Sequence, residues 1–362
     1  VTTMHDVAAA ASVSAKTVSR VFNDDPHVAP ATRERILRAM KELNYVPNTL
    51  AQTFRSGRAP VVGVAVPDIA DPFFSAIARG VEEVAVENNI AVSVTSLGDE
   101  PSREQPVIES LLRFQLTGLI VAPTSNDQSY LERWSGSTPM VFVDRAPTRF
   151  AGDCFVEDDR GGAHTATTHL IRHGHTRIGF IGDTLSIPTT HNRLEGYKAA
   201  LDDAGIPYRP ELVTFGARSA AGAIASLEFL LAAGPTALFS SDARCSMNVI
   251  PGMQEVHSAD LALVGFGDFP MANALRPATT VIDQNPSNLG RLAMNRILDR
   301  IASPAKKFRR RTVLPVNLVE RASCLVSWEA GTAGAAGVAA TVGVAGTAGT
   351  AGNLPSELRP AV

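Results

Sequence analysis

Between residues 60 and 327, short runs rich in Val, Ile, Leu and Phe alternate with segments of helical period, and this alternation restricts the fold more than any other feature. The runs are VVGVAVP (61–67), AVSVTSL (91–97), GLIVAP (118–123), MVFVDR (140–145), RIGFIG (177–182), LVTFG (212–216), TALFSS (236–241), LALVGFG (261–267) and TVLPVNLV (312–319). Helix candidates stand between them at 73–89, 162–173, 193–204, 220–233 and 288–301. A strand apolar on both faces must be covered on both faces, which means parallel sheets flanked by helices, as in doubly wound α/β domains. The runs are too many for one compact sheet of this type, so two lobes are expected. Open α/β sheets take small ligands beyond the carboxyl ends of their strands, and for two lobes that place is the cleft between them.

Residues 1–58 follow a different pattern. Thr3 and Asp6 are spaced as a capping box for a first helix over 4–11, with an apolar stripe of Val7, Ala8 and Ala11. A turn through Ser12 and Val13 leads to Ser14, a good N-cap, and then to AKTVSRVFN, where Val18, Val21 and Phe22 share a face. A third helix over 31–43 follows Pro30 and offers Ile36, Leu37, Met40 and Leu43 for packing. Two short helices joined by a tight turn form a helix-turn-helix, whose second helix enters the major groove N-terminus first. That helix is expected to expose Ala15, Lys16, Thr17, Ser19 and Arg20. Lys16 and Arg20 lie four apart and can offer donors to guanine O6 and N7, while Ser14, Thr17 and Ser19 can donate to phosphates.

The charge of the chain agrees once it is divided. A net charge of −3 over 362 residues argues against a nucleic-acid protein, but residues 1–58 carry eight Lys/Arg against five acids, net +3, leaving −6 on the rest. A small basic unit on an acidic body suits a DNA-binding module joined to a sensor.

The segments DVAAAASVSAKTVSRVFN, VAPATRERIL, ELNYVPNTLAQ, PDIADPFFSAIARGVEE, DDRGGAHTATTHLIRHGHTRIGFIGD, NRLEGYKAAL, ALFSSD, VGFGDFP and PATTVIDQNPSNLGRLA, in this order, resemble successive motifs of the LacI/GalR-type (lactose-repressor) family of bacterial transcriptional regulators. The resemblance runs over residues 3–327. It implies an α/β protein with a small all-α helix-turn-helix headpiece and two doubly wound parallel-sheet lobes like those of periplasmic binding proteins. The headpiece would span 1–46 and the hinge helix with its linker 47–59. The first lobe would comprise 60–158 plus 284–312, and the second 159–283 plus 313–327. Ala15, Lys16 and Arg20 would read bases, and Asn48, Ala51 and Phe54 would belong to the hinge helix in the minor groove. The family usually places a leucine wedge where this chain has Phe54; phenylalanine is also a minor-groove wedge, so bending should survive. Ser12 stands where the turn is commonly glycine, and Ala29 where the third helix usually has a Ser N-cap.

The resemblance also implies an effector cleft. Asp71, Phe73 and Phe74 follow the first strand, Asp144 and Arg145 end another, and Arg193 matches the effector-binding arginine, with Ser241, Asp242 and Asp268 near strand ends of the second lobe. The usual Phe-Asp-Asp is here Phe266-Gly267-Asp268, which removes one acid, while Arg218 and Arg244 add cations. These departures raise the expectation of an anionic effector, such as a sugar acid or sugar phosphate, unless Arg218 and Arg244 sit on the solvated rim.

Other chemistries find less support. Cys154, Cys245 and Cys324 are odd in number and far apart, which fits a reducing cytosol and gives no disulfide framework. His169 and His173 in HLIRHGH are half of a helical zinc site, but with His175 they lack a neighbouring third ligand, and a helix end closed by Gly174 accounts for them. KKFRRR (306–311) reads as a solvated loop. No metal, cofactor or catalytic constellation is expected. No export signal or membrane span is read, which disfavours the rival solute-binding protein of the same fold and places the protein in the cytoplasm. The expected partners are pseudo-palindromic operator DNA, a small sugar-like effector and a second copy in a homodimer. Residues 331–352 contain only Gly, Ala, Thr and Val and could bury almost nothing, so 328–362 is expected to be a disordered tail.

Overall fold

The computed structural model of the chain describes residues 2–22, 25–45, 59–98, 100–258 and 260–324. The hinge residues Asn48, Ala51 and Phe54 and the Gly/Ala-rich tail lie outside the described residues.

The headpiece consists of α1 (Met4–Ala10), α2 (Ala15–Phe22) and α3 (Pro30–Glu42). The Thr3 side chain accepts from the Asp6 amide while Asp6 accepts from the Thr3 amide at 2.7 Å, so the capping box forms. Val7, Ala8, Ala11, Val18, Val21, Val28, Ile36 and Ala39 make one small core. Two packing expectations need correction, because Phe22 and Leu37 point outward and Ala39 takes the inward position on α3.

Two six-stranded sheets follow. The first lobe runs β1 (Ala59–Val66), α4 (Pro72–Glu87), β2 (Ala91–Ser96), α5 (Pro101–Leu112), β3 (Leu116–Val121), β4 (Met140–Val143), β5 (Asp153–Glu157). The second runs α6 (Asp159–Arg172), β6 (Ile178–Gly182), α7 (Pro188–Asp203), β7 (Val213–Phe215), α8 (Ala220–Ala232), β8 (Ala237–Ser240), α9 (Ala243–Glu255), β9 (Ala262–Phe266), β10 (Thr280–Asp283). The chain then returns through α10 (Pro286–Ala302) and β11 (Arg311–Leu314) to the first sheet and ends with β12 (Asn317–Val319) in the second. The strand orders are β11-β5-β4-β3-β1-β2 and β12-β10-β9-β8-β6-β7. All pairs are parallel except β10 with β12.

Each sheet has a core on both faces, as double-sided apolar strands require. Val62, Val64 and Val66 of β1 face the core shared with α4 and α10, whereas Ala65 faces the one shared with α5. α4 and α10 approach closely because Gly80 lies against the Ser287 carbonyl and Gly290 against that of Ile77; a Cβ at either would collide with backbone.

The run 312–319 is two strands, not one. β11 pairs with β5 and β12 with β10, so the lobe boundary expected at 312/313 falls at residues 315–316. Pro315 has no amide hydrogen to continue the ladder, and the chain changes sheets there. Strands β5 and β10 were not among the apolar runs, because acids end them. Asp153 is buried at the start of β5 only in company with Arg300, which grips both its oxygens at 2.8 Å, and Arg296 at 3.2 Å.

Candidate DNA interface and effector cleft

On α2, Lys16 and Arg20 are exposed and Ala15 and Thr17 half-buried, so the tip of the helix carries donors beside small side chains. Ser14 caps the helix, its hydroxyl accepting from the Thr17 amide at 3.2 Å. Ser19 is 8% exposed and turned inward, so the expectation that it lies on the exposed face fails: it follows Val18 onto the buried side of the helix. Arg20 donates through Nε to Asp25 at 2.7 Å, and Asp25 also accepts from the amide of His27. The Arg20 guanidinium, with these further donors, holds the Asp25 carboxyl well below the usual carboxylate range.

In the body, the loops after β1, β4, β6, β7, β8 and β10 converge on one cleft between the lobes. Asp71, Phe73, Phe74, Asp144, Arg145, Arg193, Asp242, Arg218 and Arg244 all line it. Local folding explains much of the placement. Asp71 and Asp242 are N-caps of α4 and α9, each using one oxygen on a helix amide (Phe73 at 2.9 Å, Cys245 at 2.8 Å); the other oxygen of Asp71 meets Arg244, and that of Asp242 accepts from the Ser241 hydroxyl at 3.0 Å. Burial holds the Asp71 carboxyl above its ordinary pKa. Phe73 and Phe74 meet edge to face at 5.1 Å, with Phe74 rooted in the core. Asp144 adopts φ 66° and pairs with Arg145 at 3.1 Å, a left-handed backbone that costs a non-glycine residue energy and is typical of functional sites.

Arg193 is buried at 4% exposure and fully engaged. It reaches Asp159 at 2.7 Å and the Ser241 carbonyl at 2.7 Å, and its guanidinium stacks 3.8 Å above the Phe266 ring. The two added arginines also have acid partners. Arg244 of the second lobe meets Asp71 of the first at 3.2 Å, and Arg218 meets Asp183 at 3.1 Å. Two expected residues stand apart from the lining. Ser241 is buried behind it, and Asp268 is gripped by both terminal nitrogens of Arg321 at 2.9 and 2.5 Å. The cleft is partly open to solvent and holds a cavity of about 60 Å³.

Comparison with known proteins bears on both sites. The model of "Bacterial regulatory proteins, lacI family" matches residues 3–48, and that of a periplasmic binding protein-like domain matches 167–324. The ribose operon repressor of Haemophilus influenzae is 31% identical over 85% of this chain and 94% of its own length. The chain belongs to the LacI family. It is thus a DNA-binding transcriptional regulator, related also to GalR of Escherichia coli, 34% identical over 77% of this chain and 83% of that one. Among solved LacI-family structures, the lac repressor dimer bound to operator and the anti-inducer ONPF superposes with TM-score 0.78 at 28% identity, covering 89% of this chain and 99% of the other. A CelR–cellobiose complex superposes with TM-score 0.65 at 28% identity, covering 89% and 100%. Among the described residues no helix is long and apolar enough to cross a membrane.

Several residues of this LacI-family cleft escape sequence reasoning. Asp183, Ile187, Thr189, Thr190 and Gln284 also line it, and the Gln284 side-chain nitrogen is buried without an acceptor. Below the cleft, Glu157 closes β5 with neither carboxyl oxygen hydrogen-bonded. Burial, then the neighbouring Asp144 and Asp159, push Glu157 well above the ordinary range. Burial likewise raises Asp159 to about 6 against the pull of Arg193. The ends of strands beside a family motif were the available signal, and only Asp159, Asp183 and Gln284 stood within one. The histidine pair also needs revision. Gly174, at φ 90°, does close α6, but Glu320 and Cys324 fold next to His169 and His173, so further donors lie near in space that are remote in sequence.

Proposed function

We propose that this protein is a cytoplasmic, homodimeric repressor of carbohydrate-utilisation genes. Two headpieces would grip the half-sites of a pseudo-palindromic operator, and a neutral sugar-like effector in the cleft would set the affinity. The observation that carries the reading is the Arg244–Asp71 pair, which joins the lobes across the cleft at 3.2 Å. A hydroxyl-rich ligand can accept from the arginine and donate to the carboxylate, replacing one lobe-to-lobe contact with another. DNA affinity then changes to the extent that the ligand prefers one lobe arrangement.

Charge favours a neutral ligand over the anion that Arg218 and Arg244 suggested. Asp71, Asp144, Asp183 and Asp242 face Arg145, Arg193, Arg218 and Arg244 around the cleft, and an anionic group would have to displace a carboxylate from its partner. The relative named for the ribose operon and the CelR–cellobiose complex support a sugar.

Operator fragments selected from DNA flanking the gene should bind with steep salt dependence. About eight neutralised phosphates per dimer give a log–log slope near −7 in fluorescence anisotropy. A slope near zero defeats the operator-gripping reading. Calorimetry with neutral pentoses, hexoses and disaccharides beside their phosphates and acids should find binding by a neutral sugar that shifts operator affinity. Binding of acids or phosphates alone overturns the neutral reading.

A further inference from the structure

The far end of α6 carries a second group of donors, unrelated to the cleft. His169 and His173 lie four residues apart on one face of the helix, with ring centroids 4.7 Å apart. Ten residues separate His169 from the cleft-side Asp159, about 15 Å along the helix axis. After β12 the chain passes this end, bringing Glu320 and Cys324, also four apart, against the histidines. One ligand atom from each of His169, His173, Glu320 and Cys324 lies within 4.8 Å of all the others. Nε2 of His169 is 3.1 Å from Cys324 Sγ.

We propose that His169, His173, Glu320 and Cys324 bind one first-row divalent transition-metal ion, with zinc the best match. Two imidazoles, a thiolate and a carboxylate are a borderline-soft, four-donor set, the composition that zinc takes in tetrahedral coordination. Bonds of about 2.0–2.3 Å in a tetrahedron separate the ligand atoms by about 3.3–3.6 Å. The present cluster therefore needs to close by about 1 Å at its widest. The division of exposure permits this. His169 and Cys324 are buried and fixed, while His173 and Glu320 are exposed and can rotate inward.

The surroundings suit a thiolate. The Thr280 hydroxyl lies 3.0 Å from the Arg321 carbonyl and 3.3 Å from Cys324 Sγ, so its one proton can turn to a thiolate there as an outer hydrogen bond that orients a metal ligand. On binding, the Cys324 S–H bond breaks, its proton goes to solvent, and the sulfur pair forms the bond to the metal; the carboxylate and two neutral imidazoles displace metal-bound waters. The thiolate and carboxylate neutralise the ion, and no oxidant or reductant is involved. The ion would fasten the segment after β12 to the end of α6, within the second lobe. A simple His169–Cys324 hydrogen bond accounts for the buried pair but not for the convergence of His173 and Glu320 on it.

The test uses the full-length, untagged chain freed of metal by a chelator and dialysis. Titration with Zn2+ by calorimetry should give one ion per chain. Co2+ should give tetrahedral ligand-field bands and a thiolate-to-cobalt charge-transfer band. Cys324→Ser should abolish that band, although Cys154 and Cys245 remain. His173→Ala and Glu320→Gln alter exposed side chains and keep the test valid if the serine variant does not fold. His173→Ala should weaken zinc binding by more than the about 100-fold that loss of an outer partner can cost. Absence of binding, a cobalt spectrum without charge transfer, or unchanged affinity in both exposed-residue variants would overturn the proposal.

Discussion

Asp25 accepts from Nε of Arg20 at 2.7 Å, while the terminal nitrogens of such a guanidinium form the fork that pairs with guanine O6 and N7. Arg20→Ala should weaken operator binding by roughly 10–100-fold per half-site contact. Asp25→Ala should weaken it less but relax the base preference at that position, read by anisotropy against single-base operator variants. An unchanged preference would mean that Asp25 does not position Arg20. A second residue-scale consequence concerns pH. Glu157 and Asp159 hold protons to higher pH in the folded chain than in the unfolded one, so the folded state binds more protons above about pH 4, for Asp159 up to about 6. Their contribution therefore falls as pH rises through that window, the reverse of the usual salt-bridged carboxylate. Glu157→Gln, the neutral isostere, should flatten this part of the stability profile, and a denaturant series at stepped pH would reveal an unflattened one.

At the scale of elements, legibility followed the range of the interactions. The capping box of α1 and the Ser14 cap of α2 were readable because donor and acceptor lie within three residues. Strand β5 was not, because its terminal acid is neutralised by arginines about 147 residues further on. For the same reason His169 and His173 showed two donors in sequence while Glu320 and Cys324 arrive from the end of the lobe. The two headpiece departures have structural costs. Ser12 is held at φ 49°, the left-handed region that favours glycine, and Ala29 gives α3 no side-chain cap. Ser12→Gly and Ala29→Ser should each stabilise the headpiece by about 1 kcal/mol. Slower hydrogen exchange of headpiece amides in the full chain is the expected sign; faster exchange would count against it.

At the scale of the molecule, the lobes meet through the cleft and through the chain itself. Arg244→Ala removes the contact with Asp71 and should raise the open population, seen as a larger radius of gyration by X-ray scattering and a several-fold weaker effector affinity. Identical scattering curves would mean that other contacts set the lobe angle. Among the described residues the chain passes between the lobes at Asp158, at Gln284–Asn285 and at Pro315–Val316. Leu314 is in register with Glu157 and Asn317 with Asp283, and the Asp158 amide donates to the Leu314 carbonyl at 3.0 Å, so the three passages lie side by side. Three short tethers in a row make a mechanical pivot: the halves can turn about it, but sliding or parting would stretch at least two of them. Ligand binding is thereby channelled into rotation about one axis, and a single protease nick at any tether leaves two to keep that axis.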